Sequence, residues 1–338
     1  MKPKKILYIG NNLSSKEKNI TTIKILSDYL TSEGCTVFIA SSKEHKVFRL
    51  IDMMIQTINK RKVDYLLIDT YSTINFYYAF IVSQIARIFN IKYIPILHGG
   101  NLPNRIKTSK YLSNLIFKNS YCNIAPSNYL KEEFEKNGYQ TNHIPNIIDI
   151  KKYIFLKRNI IIPKLLWVRS INEIYNPLMA VKVLKEVKKT YPDAILCMIG
   201  PNKNDYFNDV LNSVKQLNLE TSIEFTGSMK KEAWHKKSND FNIFINTSNL
   251  DNMPVTIIEA MALGLPVIST NVGGIPYLIS DNVNGKLVSE NAVSDMSKKI
   301  ISLVNNSEEV NSMVLKARKE VEKYDWSLVR NSWIKLLK

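Results

Sequence analysis

The chain has 338 residues, long enough for two domains of ordinary size. Its 45% hydrophobic and 22% charged residues, with only 11 Gly and 12 Pro, exclude a disordered or low-complexity chain. The net charge of +16 favours anionic partners (nucleotides, acidic lipid surfaces or nucleic acid) without choosing among them; a Lys- and Asn-rich composition is the bland reading of the same excess.

Along the chain, short apolar β-rich runs alternate with longer segments of helical period. The first half has runs at 4–10, 35–41, 65–71, 92–98, 122–127 and 141–146. Helical patterns at 21–34, 47–62 and 128–138 lie between them, and Gly34 and Gly138 close two of these, as C-terminal caps do. The second half has runs at 164–170, 194–200, 222–227, 241–248, 266–270 and 285–289, with helical patterns at 176–191 and 255–264. Uninterrupted apolar strands alternating with helices predict parallel sheets covered on both faces. Each half therefore reads as one doubly wound α/β domain, the boundary falling near 143–153. The tail reads as two helices, with Asp325 or Ser327 able to cap the last.

Cys35, Cys122 and Cys197 lie far apart with no CxxC pair. They read as small buried hydrophobes of a reducing compartment, not as a disulfide scaffold or zinc knuckle. The N-terminal apolar run is too short for a signal-peptide core. The charge-free stretch from Thr70 to Ala86 is polar and falls short of a membrane span. A soluble cytoplasmic protein, or one attached to a membrane surface, is expected.

The segment 251–288 carries the chemistry. It follows an apolar strand ending at Ser248, so Asp251 to Pro254 form a loop at a strand's carboxyl end. A helix starting near Val255 presents free amides, those of Val255 and Thr256, as an anion site. Glu259 follows Asp251 by eight positions, so the two acids can bracket one ligand. A carboxylate near a diphosphate is repelled, which favours Glu259 as acceptor of sugar hydroxyls. A second strand leads to Gly273 and Gly274, where the backbone can approach a ligand.

These residues resemble the donor-site signature of the retaining glycosyltransferases of family 4: acid, seven residues, Glu, then EAMA-x-G-x-PV, T-x-x-GG and a later N-G. The resemblance extends through APSNYL (125–130), HIPN-x-x-D (143–149), Arg169 after an apolar strand, PDAILCMIGP (192–201), EFTG (224–227) and the Trp-containing last helix. It implies the GT-B fold, two doubly wound Rossmann-like domains facing across a cleft. The implied divisions are 1–148 on the acceptor side, 149–310 binding the nucleotide sugar, and 311–338 as C-terminal helices, the last packing back toward the N-terminal domain.

The implied reaction moves a sugar from a nucleotide-diphosphate sugar, with retention, to a glycan or lipid-linked acceptor in cell-surface polysaccharide synthesis. No cofactor or essential metal is expected, and no Asp-x-Asp pair occurs in the chain. By the same resemblance Glu259 holds the donor ribose and Asp251 lies near the transferred sugar. The backbone of Asn252, Met253, Pro254, Val255 and Thr256 lies close to sugar and phosphate, with amides to donate from all but the proline. Arg169 contacts the diphosphate, Met229 borders the base, and His98 takes the place of a histidine facing the cleft, with Gly99, Gly100 and Asn101 beside it on the acceptor side. The chain departs from the pattern in having Asp251 for Glu, no lysine shortly after Arg169, and Gly10-Asn11-Asn12 in place of a Gly-rich loop.

Blander roles stand beside these. Glu259 can be an exposed helix acid, Arg169 a surface ion pair, Asp251 a turn or capping residue, Gly273 and Gly274 turn glycines, and His98 a structural hydrogen-bonder. His45, His143 and His235 show no metal-ligand spacing and read as structural or exposed. LysArgLys at 60–62 reads as the charged end of a helix. The segment 105–121 interleaves Arg105, Lys107, Lys110 and Lys118 with apolar residues. It reads as a packed helix with a solvated basic face, or as one resting on an anionic membrane surface. A nucleotide-sugar epimerase of the same fold is the alternative enzyme. A basic nucleic-acid-binding protein is less well supported, since no nucleic-acid-binding motif is present.

Overall fold

A computed structural model describes residues 3–13, 21–158, 160, 162–202 and 205–338. The chain divides into two compact units, Met1–Ile147 with Trp326–Lys338, and Ile148–Asp325.

The first unit runs β1 (Lys5–Ile9), α1 (Thr22–Ser32), β2 (Thr36–Ala40), α2 (Lys46–Asn59), β3 (Tyr65–Thr70), α3 (Asn75–Ile88), β4 (Lys92–Leu97), α4 (Leu102–Thr108), α5 (Lys110–Phe117), β5 (Asn123–Ala125), α6 (Asn128–Lys136) and β6 (Thr141–His143). Its strands form one parallel sheet in the order β2-β1-β3-β4-β5-β6. Side chains alternate between two cores, as strand geometry requires. Ile6 and Tyr8 of β1 enter one and Leu7 and Ile9 the other. Both sheet faces are therefore dry, which explains strands that read as unbroken apolar runs.

The second unit runs β7 (Lys164–Val168), α7 (Pro177–Val187), β8 (Ile195–Ile199), α8 (Tyr206–Gln216), β9 (Ile223–Gly227), α9 (Lys231–Lys237), β10 (Ile243–Asn246), α10 (Val255–Ala262), β11 (Val267–Thr270), β12 (Lys286–Val288), α11 (Val293–Val304) and α12 (Ser307–Glu322). Its parallel sheet has the order β12-β11-β10-β7-β8-β9. Leu165 and Trp167 of β7 face one core while Leu166 and Val168 face the other. Asn176 starts α7, its side chain accepting from the Met179 amide, with Pro177 in the first turn.

The tail is divided between the two units. Helix α12 packs Ala317 and Val321 into the second unit's core. The last helix, α13 (Trp326–Leu336), belongs to the first unit. Trp326, Val329, Trp333 and Leu337 join Ile6, Tyr8 and Ile144 in its core, and Trp326 stacks on Tyr29 at 4.8 Å. Asp325 accepts the amide of Ile150.

The segment 105–121 is not one helix. It is broken at Ser109, whose φ of −129° cannot continue a helix between α4 and α5. Arg105 is withdrawn from the basic face: its guanidinium donates to the Ser72 carbonyl at 2.7 and 2.9 Å and lies over the Phe76 ring. Cys122 and Cys197 are buried, but Cys35 is half-exposed just before the edge strand β2. Among the described residues no helix is long and apolar enough to cross a membrane.

Candidate functional site

In each unit the strand order reverses where two neighbouring strands send their chains to opposite sides, and such points open a crevice at the carboxyl ends of the strands. In the second unit this point lies between β7 and β10, paired through Leu165 with Ile243 and Leu166 with Phe244. Arg169 directly follows β7 and Asp251 lies in the loop after β10, so adjacent strands deliver both to one corner. Arg169 Nη2 is ion-paired with Asp251 Oδ2, and the guanidinium lies over the Tyr175 ring at 5.1 Å. Asp251 Oδ1 accepts the Asn252 amide at 2.9 Å. Asp251 thus does act as a turn residue, and at the same time it holds the arginine.

Helix α10 starts at this corner. Its first amide to find a backbone carbonyl is that of Ile257, onto Pro254 at 3.0 Å. The amides of Val255 and Thr256 precede it at the positive end of the helix dipole. Asn252, Met253 and Pro254 are buried, and the Met253 side chain packs into the core beside Ile257. These three therefore shape the corner from beneath and offer it backbone rather than side chains.

Gly273 and Gly274 come to the same loop, and the backbone they approach is the chain's own. A Cβ on Gly273, whose φ is +53°, would fall 2.0 Å from the Asp251 carbonyl oxygen, and one on Gly274 1.9 Å from that of Asn252. The Gly274 amide donates to Asp251 O at 3.0 Å. The pair seats the Asp251 loop.

Glu259 sits one turn into α10 and is only 2% exposed, so it is not a solvated helix acid. Its carboxylate is ion-paired with Lys231, accepts the Tyr153 hydroxyl at 3.0 Å, and faces His235 Nε2 at 3.8 Å. Burial alone would raise its pKa. The neighbouring His235 and Lys231 outweigh that and hold the carboxyl below its ordinary range. Lys231 and His235 stand four residues apart on α9, hence on one face. Met229, half-buried just before α9, packs against the same core as α10.

Sequence reasoning missed Lys231, Tyr153 and His235, the last read as structural or exposed. Its ring is largely buried between Tyr153 and Trp234. The one available signal was the Lys231–His235 spacing after the EFTG strand.

Among the described residues, six buried side-chain polar atoms lack a hydrogen-bond partner, and three of them belong to this site: Arg169 Nε, Thr256 Oγ1 and His235 Nε2. Unpaired buried polar atoms are costly and collect where a ligand completes them. Among the described residues no three His, Cys, Asp or Glu gather as metal ligands.

The first unit builds a different arrangement. Tyr8 of β1, Asp69 of β3 and His98 just after β4 lie on neighbouring strands in parallel register, Tyr8 pairing with Leu67 and Asp69 with Ile96. Steps of two residues keep their side chains on one face. Tyr8 donates to Asp69 Oδ1 at 2.8 Å, and His98 Nε2 meets the same oxygen at 2.8 Å. Against a carboxylate, which only accepts, the ring hydrogen sits on Nε2 and leaves Nδ1 as the other nitrogen. The Tyr71 ring stacks on His98 at 5.1 Å. Burial, then the adjacent Asp69, pushes the Tyr8 hydroxyl well above its ordinary pKa. A Cβ on Gly10 would fall 2.4 Å from Asp69 Oδ2, so the bare Cα is what admits the carboxylate. Gly99 and Gly100 are half-buried, and exposed Asn101 starts α4 without a side-chain cap.

The sequence and fold have counterparts among known proteins. An uncharacterized glycosyltransferase of Haemophilus influenzae is 29% identical over 153 residues, 45% of this chain. The match covers 42% of that relative, under half its length. Sucrose-phosphate synthase from Thermosynechococcus elongatus superposes with a TM-score of 0.83 at 16% identity, covering 98% of both chains. HepE of Anabaena, solved with UDP and glucose, superposes with a TM-score of 0.77 at 15% identity, also over 98% of both. The two structural likenesses extend over both units, and the fold is of the GT-B class. The profile of the family described as "Glycosyl transferases group 1" matches residues 159–320, which span nearly all of the second unit and include Arg169, Asp251 and Glu259. Through that unit, just under half of the chain is similar to the glycosyl transferases group 1 family.

Proposed function

We propose that this chain is a retaining glycosyltransferase that moves a sugar from a nucleotide-diphosphate sugar to a glycan or lipid-linked acceptor in cell-surface polysaccharide assembly. The observation that carries the reading is the corner where Arg169, Asp251 and the amide end of α10 meet, with Arg169 Nε and Thr256 Oγ1 buried there without a hydrogen-bond partner. A diphosphate supplies acceptor oxygens for such donors, and the planar guanidinium suits two of them at once. Glu259 accepts from ribose hydroxyls as they take over from Tyr153 and Lys231. The HepE complex with UDP and glucose supports this donor class.

In the reaction the bond from the anomeric carbon to the diphosphate oxygen breaks, and its electron pair stays on the phosphate. The acceptor oxygen bonds to that carbon on the same face and passes its proton to the departing diphosphate oxygen. The charge developing on the diphosphate is met by Arg169, by the amides of α10 and by Lys231, which supplies a cation that the residues after Arg169 do not. With protein groups in that role, turnover needs no essential divalent metal and survives a chelator. In this reading His98 is the first unit's catalytic group, and Gly99, Gly100 and Asn101 belong to the acceptor side.

The test is a screen of UDP- and GDP-sugars for thermal stabilisation and nucleotide release. A shift with at least one of them, lost in Glu259→Ala, is expected. No response to any nucleotide sugar overturns the reading. Nucleotide-sugar interconversion without an acceptor would favour an epimerase.

A further inference from the structure

Helix α2 is apolar on both sides. Met53 and Leu50 pack on the first unit's sheet. On the opposite side Val47, Phe48, Ile51, Ile55 and Ile58 are 39 to 62% exposed. At 100° per residue these five fall within one stripe roughly 100° wide, with Asp52 at its edge. A helix with apolar residues all round is normally covered on every side. About half the surface of five large side chains is on the order of 400 Å², a size at which apolar patches mark interaction sites.

Charge identifies what covers it. Residues 43–62 hold six cationic residues against two acidic ones, a net +4. Lys43 and Lys46 flank the start of the stripe, and Arg61 and Lys62 its end, while the Lys60 ammonium turns to the sheet side over the Phe38 ring at 4.1 Å. Arg49 points elsewhere: buried, it donates to the Lys43 and Glu44 carbonyls and fixes the loop leading into the helix. A second copy of this chain fits the stripe poorly. Any two-fold pairing brings these cationic ends together, and the patch is about half of the roughly 800 Å² per partner that a stable interface buries. An anionic lipid surface satisfies both parts: acyl chains take the apolar stripe and headgroups the flanking cations.

We propose that α2 is a membrane-surface contact, docking the first unit on anionic lipid through Val47, Phe48, Ile51, Ile55 and Ile58 with Lys43, Lys46, Arg61 and Lys62 around them. The surface lies on α2 rather than on the divided segment 105–121. It is independent of the donor site, so either can fail alone.

The experiment is flotation of the full chain with phosphatidylcholine vesicles, with and without phosphatidylglycerol. Binding to the anionic vesicles only is expected. Ile51→Glu with Ile55→Glu should reduce it at least about tenfold, with the melting temperature unchanged because both side chains are exposed. Exchanging Lys107, Lys110 and Lys118 for Glu should leave most of it. Phe48→Ser is the milder companion, keeping the test open if the double variant folds poorly. No vesicle binding, equal binding to neutral vesicles, loss only in the lysine variant, or a dimer in solution that the double variant dissolves would each overturn the proposal.

Discussion

The two units place their polar groups at the same topological position and treat the carboxylates there in opposite ways. In the second unit each acid is given a cation, Asp251 with Arg169 and Glu259 with Lys231. In the first unit Asp69 is shared between a tyrosine hydroxyl and an imidazole nitrogen, with no Lys or Arg ion-paired to it among the described residues. The first arrangement suits binding and leaving-group charge. The second orients one ring. A shared sheet topology thus fixes where chemistry happens, and the side chains at and after the strand ends decide what kind it is.

The contrast can be broken in order of expected effect. Glu259→Ala removes an acceptor from a buried cluster and leaves Lys231 and Tyr153 unmatched. Donor affinity, read by titration calorimetry, should fall about a hundredfold, in line with about 1.5 to 3 kcal/mol for hydrogen bonds to a charged group. Arg169→Lys keeps the charge but loses the planar fork. A fall of about tenfold in kcat/KM is expected, and an unchanged value would remove the arginine from the reaction.

Asp69→Asn should lower kcat more than KM, by several-fold, and change the tautomer of His98 seen by nitrogen-15 chemical shifts. A purely structural role would leave that spectrum alone. Tyr8→Phe, which removes one of two donors to Asp69, should cost about 1 kcal/mol in unfolding free energy with little change in rate.

Acid titration sharpens the second unit's side. The folded pKa of Glu259 is held below its unfolded value, so its ion pair stabilises the fold at and above the ordinary carboxylate range. That contribution fades as pH falls through the folded value. The stability gap between the natural chain and Glu259→Gln should therefore close on acidification. A gap that persisted in acid would mean the carboxylate carries no net stabilisation.

Much of this was readable beforehand. The alternation of runs located the twelve strands of the described residues to within a few positions, because buried parallel strands have no polar face to confuse the pattern. The stretch from Asp251 to Gly274 was readable because its residues are close in sequence and share one corner. What escaped was set by distant partners. Tyr153 reaches Glu259 across 106 positions and Tyr8 reaches Asp69 across 61, and neither has a local signature. The break at Ser109 escaped because every residue around it has ordinary helix propensity, so tertiary packing decided where the segment divides.

The return of α13 to the first unit sets an order of events at the ribosome. Trp326, Trp333 and Leu337 fill a core whose other walls, Ile6, Tyr8 and Leu26, are made more than 280 residues earlier. The nascent first sheet must wait, its hydrophobic flank open, while all of the second unit is translated. A chain cut at Asp325 would keep every strand of both sheets and still leave the earlier unit unfinished.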